Sequence, residues 1–288
     1  MKRLLLLVLL LVDQTRRGEG AETSELALLA ERPTRIVGGK DSEKGRHPWQ
    51  VSLHWFNKKR GIRPRHVCGG TLLASGWVLT AGHCQTLSPK RPGGQYMVLA
   101  GKHELGTPED TEQTRLVEET FVHPEYSGSV GPNDIALMKL ERPFELNEYV
   151  STVSLPYADQ MHSGDAILTG WGSVSRTRKP ESPRVLQVAT LPLLDYEECK
   201  EVLDERLRRE DENPIDPTNV CTGPLDGSQS ACKGDSGGPL VVINSLDMVE
   251  IIGVVSWGIY PCAKRNSPSV YTRVSAFVPW IHQIMRDN

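Results

Sequence analysis

PLVVINSLDMVEIIGVVSW (239–257) sets two β-rich runs, PLVVI (239–243) and EIIGVVSW (250–257), on either side of a segment that opens with Asn244 and Ser245. Val and Ile suit a pleated, half-buried surface, whereas Gly, Pro, Asn and Ser end such runs. The same unit recurs towards the N-terminus as AILTGWG (166–172), DIALMKL (134–140), YMVLAG (96–101), GWVLTA (76–81) and WQVSLHW (49–55). Several of these runs alternate with a period of two, and no helical pattern of a dozen residues separates them. Short strands at this density predict a barrel or a sandwich. Two stretches depart from the pattern. Phe277, Trp280, Ile281 and Ile284 recur at helical spacing and predict a C-terminal amphipathic helix over 275–285. CKEVLDERLRREDEN (199–213) is charged and helix-prone, and reads as a solvated surface segment.

Composition narrows the function classes. The 288 residues allow one large domain or two small ones, and 38% of them are hydrophobic, ordinary for a packed chain. Only 24% are charged and the formal net charge is −3, which excludes disorder as the main state and argues against a nucleic-acid partner. No apolar run reaches the length that spans a membrane. Glycine (26) and proline (20) together are about 16% of the chain, above the usual share, and favour a turn-rich β protein over a bundle.

The N-terminus reads as an export address. Met1, Lys2 and Arg3 precede nine apolar residues (4–12), and small residues follow at Gly18, Gly20 and Ala21. That layout is a secretory signal peptide over 1–20, and places the protein outside the cell. Six cysteines fit that compartment: Cys68, Cys84, Cys199, Cys221, Cys232 and Cys262. None forms a C-x-x-C pair, so zinc is not expected, and an even count in an exported chain reads as three disulfides. Spacing alone leaves 15 connectivities open.

Three short patterns carry chemistry together. TAGHC places His83 beside Cys84, NDIAL places Asp134 before an apolar strand, and GDSGGP places Ser236 among glycines. A serine hydroxyl needs a neighbouring base to become a nucleophile, and the base needs a carboxylate to fix its tautomer. Glycines around Ser236 let the backbone approach a substrate, with the N–H groups of Gly234 and Ser236 available for an oxyanion. Singly, each motif also reads as structure: a surface histidine, a turn aspartate, a glycine-rich loop. Their order, His then Asp then Ser with cysteines nearby, sets them apart.

On these motifs the sequence resembles the trypsin/chymotrypsin family of secreted serine proteases. IVGG (36–39), PWQVSL (48–53), CGGTLL (68–73), GWG (170–172), SWG (256–258) and VYTRV (270–274) extend the resemblance over 36–288. It implies two packed six-stranded antiparallel β-barrels with a C-terminal helix and the active site in the cleft between them. It also implies Ser236 as nucleophile, His83 as general base then acid, Asp134 as orienting carboxylate, and Gly234 and Ser236 as oxyanion donors. Ser256, Trp257 and Gly258 would pair with an extended substrate. The implied disulfides are Cys68–Cys84, Cys199–Cys221 and Cys232–Cys262. Residues 21–35 would be an activation peptide cut between Arg35 and Ile36 by a trypsin-like protease, after which the Ile36 amine pairs with Asp235. Protein or peptide substrates and protein protease inhibitors are the implied partners. The expectation is a monomer without a cofactor. A protease-fold binding protein that has lost catalysis is the alternative class, and digestive against cascade roles stay open.

Several departures from the family pattern are informative. Ala166 and Val242 stand where vertebrate chymotrypsins have a bonded cysteine pair, and Ser154 stands where a cysteine would tether the activation peptide. Gly82 replaces a common alanine. In the loop 102–112, Glu109 and Glu112 match acidic positions of a calcium site, but Lys102 replaces the first ligand, so no metal is expected and a Lys102–Glu112 pair is. For specificity, the residue six places before Ser236 is Ser230, with Ala231 beside it, where trypsin-like members need Asp. Asp226 falls in a surface loop. Gly258 and Ser269 would form the pocket walls, with Lys233 at the rim adding a mild taste for nearby acids. Cleavage after Phe, Tyr, Leu or Met is the expectation, with Trp less favoured and Arg or Lys poor, and an elastase-like preference for small residues as runner-up.

Overall fold

The computed structural model describes residues 36–86, 93–207 and 213–288. The expected signal peptide (1–20) and activation peptide (21–35), with Arg35, lie outside the described residues. Strands β2 (Gln50–Asn57), β3 (Ile62–Ala74), β4 (Trp77–Thr80), β5 (Gln95–Ala100), β6 (Gln113–Val122) and β7 (Ala136–Leu140) close into one antiparallel barrel, in the order β2-β3-β4-β7-β6-β5. The second barrel comprises β8 (Asp165–Gly170), β9 (Gln187–Leu194), β10 (Asn219–Thr222), β11 (Pro239–Ile243), β12 (Val249–Gly258) and β13 (Ser269–Arg273). It runs β9-β10-β13-β12-β11-β8 and closes through β8–β9 pairing, while β1 (Lys40–Asp41) adds to the free part of β9. Closure leaves few exposed strand edges for unwanted pairing. The two six-stranded antiparallel barrels are those expected from sequence.

Apolar residues at alternate positions fill the barrels. Val51, Leu53, Leu72, Val78, Leu79 and Leu137 are fully buried in the first, as are Leu168, Leu191 and Tyr271 in the second. The C-terminal segment begins as a 3-10 turn (Val274–Phe277) and continues as a helix (Val278–Asp287, called α3 below) with Pro279 in its first turn, where a missing N–H is harmless. Its Ile281 is fully buried, and the rings of Phe277 and Trp280 lie 5.1 and 5.2 Å from that of His123. His123 in turn donates its backbone N–H to Ile135 O, so the helix braces the segment that presents Asp134.

The segment read as a solvated helix starts earlier than expected. Helix α2 spans Tyr196–Leu207, and Glu198 N donates to Asp195 Oδ1 at 2.7 Å, a cap on the first turn. Cys199 and Leu203 repeat at i, i+4 and are buried against Cys221 and Val270, so one face is core. Residues 208–212 lie outside the described residues. The three disulfides are Cys68–Cys84, Cys199–Cys221 and Cys232–Cys262, and no described cysteine is free. They span 16, 22 and 30 residues, each stabilising by about 3–4 kcal/mol on the chain-entropy account. Ala166 and Val242 are buried in one apolar cluster on the adjacent strands β8 and β11, so packing replaces a crosslink there.

Lys102 is buried inside its loop. Its Nζ donates to Glu112 Oε2 at 2.7 Å and to Thr107 O, and lies 3.5 Å from Glu109 Oε2. Burial alone would raise the Glu109 carboxyl, but amides of His103 and Glu104 and the cations Lys44 and Lys102 bring it below the usual range. A depressed carboxyl adds stability that is complete at neutral pH and lost on acidification through its folded value. Lys102→Met removes the cation, leaves Glu112 without its counter-charge and takes one of two cations from Glu109, so it should destabilise the chain by about 3 kcal/mol in urea unfolding. A loss below about 1 kcal/mol, the level of an exposed pair, would overturn that account.

Candidate active site

The site is assembled from loops at the junction of the two barrels. Helix α1 (Gly82–Thr86) carries His83, and its Cys84 is bonded to β3 through Cys68. Cys68, His83 and Cys84 offer ligand atoms within 4.8 Å of one another, but both sulfurs are spent on their mutual bond. Gly82 has a reason in packing: a Cβ there would come within 2.9 Å of the Tyr126 ring. Asp134 is 3% exposed. Its Oδ1 accepts from His83 N at 2.7 Å, and its Oδ2 faces His83 Nδ1 at 2.7 Å and accepts from Ser256 Oγ at 2.5 Å. Thr272 Oγ1 donates to the Asp134 carbonyl. Three donors thus saturate a buried carboxylate, which otherwise would be costly. Because the carboxylate accepts at Nδ1, the proton of neutral His83 sits there and Nε2 is left as the acceptor.

Ser236 sits on a glycine-shaped turn pressed against that helix. At Gly237 (φ +75°) a Cβ would stand 2.1 Å from Thr80 Oγ1 and 3.0 Å from Cys84 Sγ, the residue beside His83. Gly69 N donates to Ser236 O at 2.8 Å, tying the turn to β3. Gly234 has φ +103°, and a Cβ on it would meet Gly172 Cα at 3.0 Å. Both positions require glycine. Along this turn the amides of Cys232, Asp235, Gly237 and Gly238 donate to protein acceptors, whereas among the described residues those of Gly234 and Ser236 have none. Two unengaged N–H groups flanking a serine hydroxyl are the arrangement an oxyanion needs.

Asp235 is fully buried, and burial pushes its carboxyl up to about 6, against hydrogen bonds from Cys232 N and Gly172 N that favour the charged form. Ile36 is also fully buried. Val37 pairs with Ser230 in an antiparallel bridge, with Ser230 N donating to Val37 O at 3.0 Å.

His66 is a site residue that sequence reasoning missed. It is half-buried, its Nδ1 lies 2.8 Å from Ser52 Oγ, and its Nε2 lies 2.9 Å from Gly234 O. Burial lowers its pKa, so the neutral ring donates to the carbonyl of Gly234 and steadies that peptide. No local motif marks it, since its partner is 168 residues away.

Beside Ser236 opens a cavity of about 170 Å³, lined by Ser230, Ser236, Ser256, Trp257 and Gly258. That volume takes a single side chain, being well below a whole ligand site. Val255, Ile259 and Tyr260, not singled out from sequence, also line it. Ser269 acts from behind the floor: its Oγ lies 3.1 Å from Ser230 Oγ and accepts from Ala231 N. A Cβ on Gly258 would touch only Pro268 O, at 3.8 Å, so the mouth stays open. Asp226 is exposed and accepts from Ser228 N, well placed as a turn cap. Lys233 is exposed at the rim, its Nζ 3.8 Å from the centroid of Tyr260.

Two closed barrels with a serine, a carboxylate-held histidine and a side-chain cavity at their junction define a class of protein, the serine-type hydrolases. Comparison with known proteins narrows the class. The family model described as Trypsin matches residues 36–281, and the chain belongs to that family. Similar proteins include Lectizyme of Glossina austeni, 38% identical over 256 residues (86% of this chain and 85% of that protein). Kallikrein-1 of Mus musculus is 34% identical over 266 residues (88% of this chain, 91% of that protein), and Ovochymase-2 of Mus musculus is 37% identical over 262 residues but only 40% of its own length. The chain is a serine-type endopeptidase.

Proposed function

We propose that this endopeptidase is a secreted zymogen that, once cut between Arg35 and Ile36, hydrolyses peptide bonds after large hydrophobic residues. Ser236 Oγ attacks the scissile carbonyl while its proton passes to His83 Nε2, and the resulting oxyanion is held by the N–H groups of Gly234 and Ser236. His83 returns the proton to the departing amine as the C–N bond breaks. Water repeats the attack on the acyl-enzyme and restores Ser236. Asp134 holds His83 in the required tautomer and stabilises the imidazolium. The backbone of Ser256, Trp257 and Gly258, at the end of β12, pairs with the extended substrate ahead of the scissile bond.

The observation that carries the specificity reading is an uncharged floor. Ser230 and Ser269 face each other there and no carboxylate lines the cavity among the described residues, so a buried Arg or Lys would lack its counter-charge. The open mouth at Gly258 favours Phe, Tyr, Leu and Met over the small residues of an elastase-like preference. Burying such a side chain is worth about 1.5–3 kcal/mol, so kcat/KM for Phe or Leu should exceed that for Ala by at least about tenfold. Peptides differing only in the residue before the scissile bond measure this directly. If Ala or Arg outruns both Phe and Leu, the pocket has been misassigned. The activating partner is a trypsin-like protease, because the cut follows Arg35, and protein protease inhibitors are expected to occupy the same cleft.

A further inference from the structure

After the buried Phe56 the chain reads NKKRGIRPRH (57–66). Lys58, Lys59, Arg60, Arg63 and Arg65 put five cations and no acid into eight residues (58–65). The whole chain carries −3, so by difference from +5 the remainder carries −8. The structure gathers these cations at the tip of the β2–β3 hairpin, where a 3-10 turn covers Lys58–Arg60. The tip is ordered from within: Asn57 Oδ1 accepts from Arg60 N at 3.1 Å, and Gly61 (φ +66°) closes the turn. Arg63 and Arg65 are two apart on β3, hence on one face and about 7 Å apart along the strand. All five side chains are exposed.

Some surface cations elsewhere are paired, as in Lys139–Glu118, Arg184–Glu104 and Lys200–Asp204. Among the described residues, none of the five hairpin cations takes part in an ion pair. A fixed cluster of like charges repels itself, and an anionic ligand relieves that repulsion. The tip offers little besides charge: Trp55 and Phe56 are buried, and Ile62 is half-buried. A folded protein partner would need an apolar centre in its interface, and single-stranded nucleic acid would need exposed rings to stack on. Neither is present. We propose that this hairpin is a binding site for a linear sulfated polysaccharide, recognised by the repeated negative charge of its chain.

The test uses the full-length chain and a fluorescently labelled heparin octasaccharide, with anisotropy read at several salt concentrations. Affinity should fall linearly on a log–log plot against salt, as counterion release dictates. Replacing Lys58, Lys59 and Arg60 by Gln, or Arg63 and Arg65 by Gln, should weaken binding about tenfold or more and flatten the slope. The charge-keeping set Arg60→Lys, Arg63→Lys and Arg65→Lys should bind nearly as wild type, and Lys200→Gln on α2 should change nothing. Unchanged thermal midpoints and unchanged cleavage of a short uncharged peptide, after activation, confirm that the variants fold. Wild-type protein that ignores heparin, or Gln variants that bind it undiminished, would overturn the proposal. So would duplex DNA or a polyglutamate peptide competing at lower charge concentration than heparin itself.

Discussion

Asp134→Asn should lower kcat by about 10⁴-fold with little change in KM, the scale expected when a catalytic histidine is left in the wrong tautomer. The carboxylate now receives three hydrogen bonds, from His83 N, His83 Nδ1 and Ser256 Oγ. An amide of the same shape keeps the volume and still accepts through one oxygen. With Oδ1 retained against His83 N, the amide NH₂ faces Nδ1 and Ser256 Oγ. Nδ1 then becomes an acceptor, the ring proton moves to Nε2, and nothing is left there to take the proton of Ser236. The effect should lie in turnover, because Asp134 is buried and the substrate cavity is lined by other residues. Steady-state kinetics of the activated variant on one good peptide decide the matter. A loss smaller than about 100-fold would mean that Asp134 is structural and that another group orients His83.

Arg35→Gln should leave the chain at least about 100–1,000-fold less active after treatment with a trypsin-like protease, the range for losing an oxyanion donor. The physical reason lies with Asp235. Its carboxyl is raised to about 6 from 3.8 by burial, so at pH 7 its ionisation costs the uncut folded chain on the order of 3 kcal/mol. The sign follows: the folded state binds the proton more tightly than the unfolded one, so stability falls as pH rises from about 4 to 6 and is flat above. A cut before Ile36 creates an α-ammonium on a residue that is already fully buried. Paired with Asp235, it removes that penalty and locks the turn bearing Gly234. The paired amine is raised above its ordinary value, so activity of the cut enzyme should fall as alkaline pH strips its proton. An uncut Arg35→Gln chain with full activity would refute this sequence of events. A cut enzyme with no alkaline loss would refute the ion pair alone.

Seven of the thirteen strands were legible because the residues that fit a pleated surface and those that stop it alternate locally there. Strands β1, β3, β6, β9, β10 and β13 were not among the runs read from sequence. WQVSLHW, GWVLTA and PLVVI each fall on an observed strand within a residue or two at either end. The disulfides and the His–Asp–Ser set were legible only through resemblance, since spacing alone left every pairing of six cysteines open. The helix at 196–207 shows where local reading stops: its charges suggested a solvated segment, yet Cys199 and Leu203 are core because a disulfide and Val270 lie beneath them.

Sequence by itself determined which residue types exist for chemistry: a histidine beside a cysteine, an aspartate before a strand and a serine among glycines, with an uncharged Ser230 six places before that serine. It also set five cations within residues 58–65, but only the structure gathers them at a hairpin tip. Tertiary structure alone decided how these meet. His66 reaches Gly234 across 168 residues, and Ser256 reaches Asp134 across 122. Ser269 completes the floor through Ser230, and Ile36 is buried beside the strand pairing of Val37 with Ser230. Such contacts arise from the closure of two barrels against each other, whose side-chain partners are set by packing over the whole chain and leave no mark in any short stretch of it.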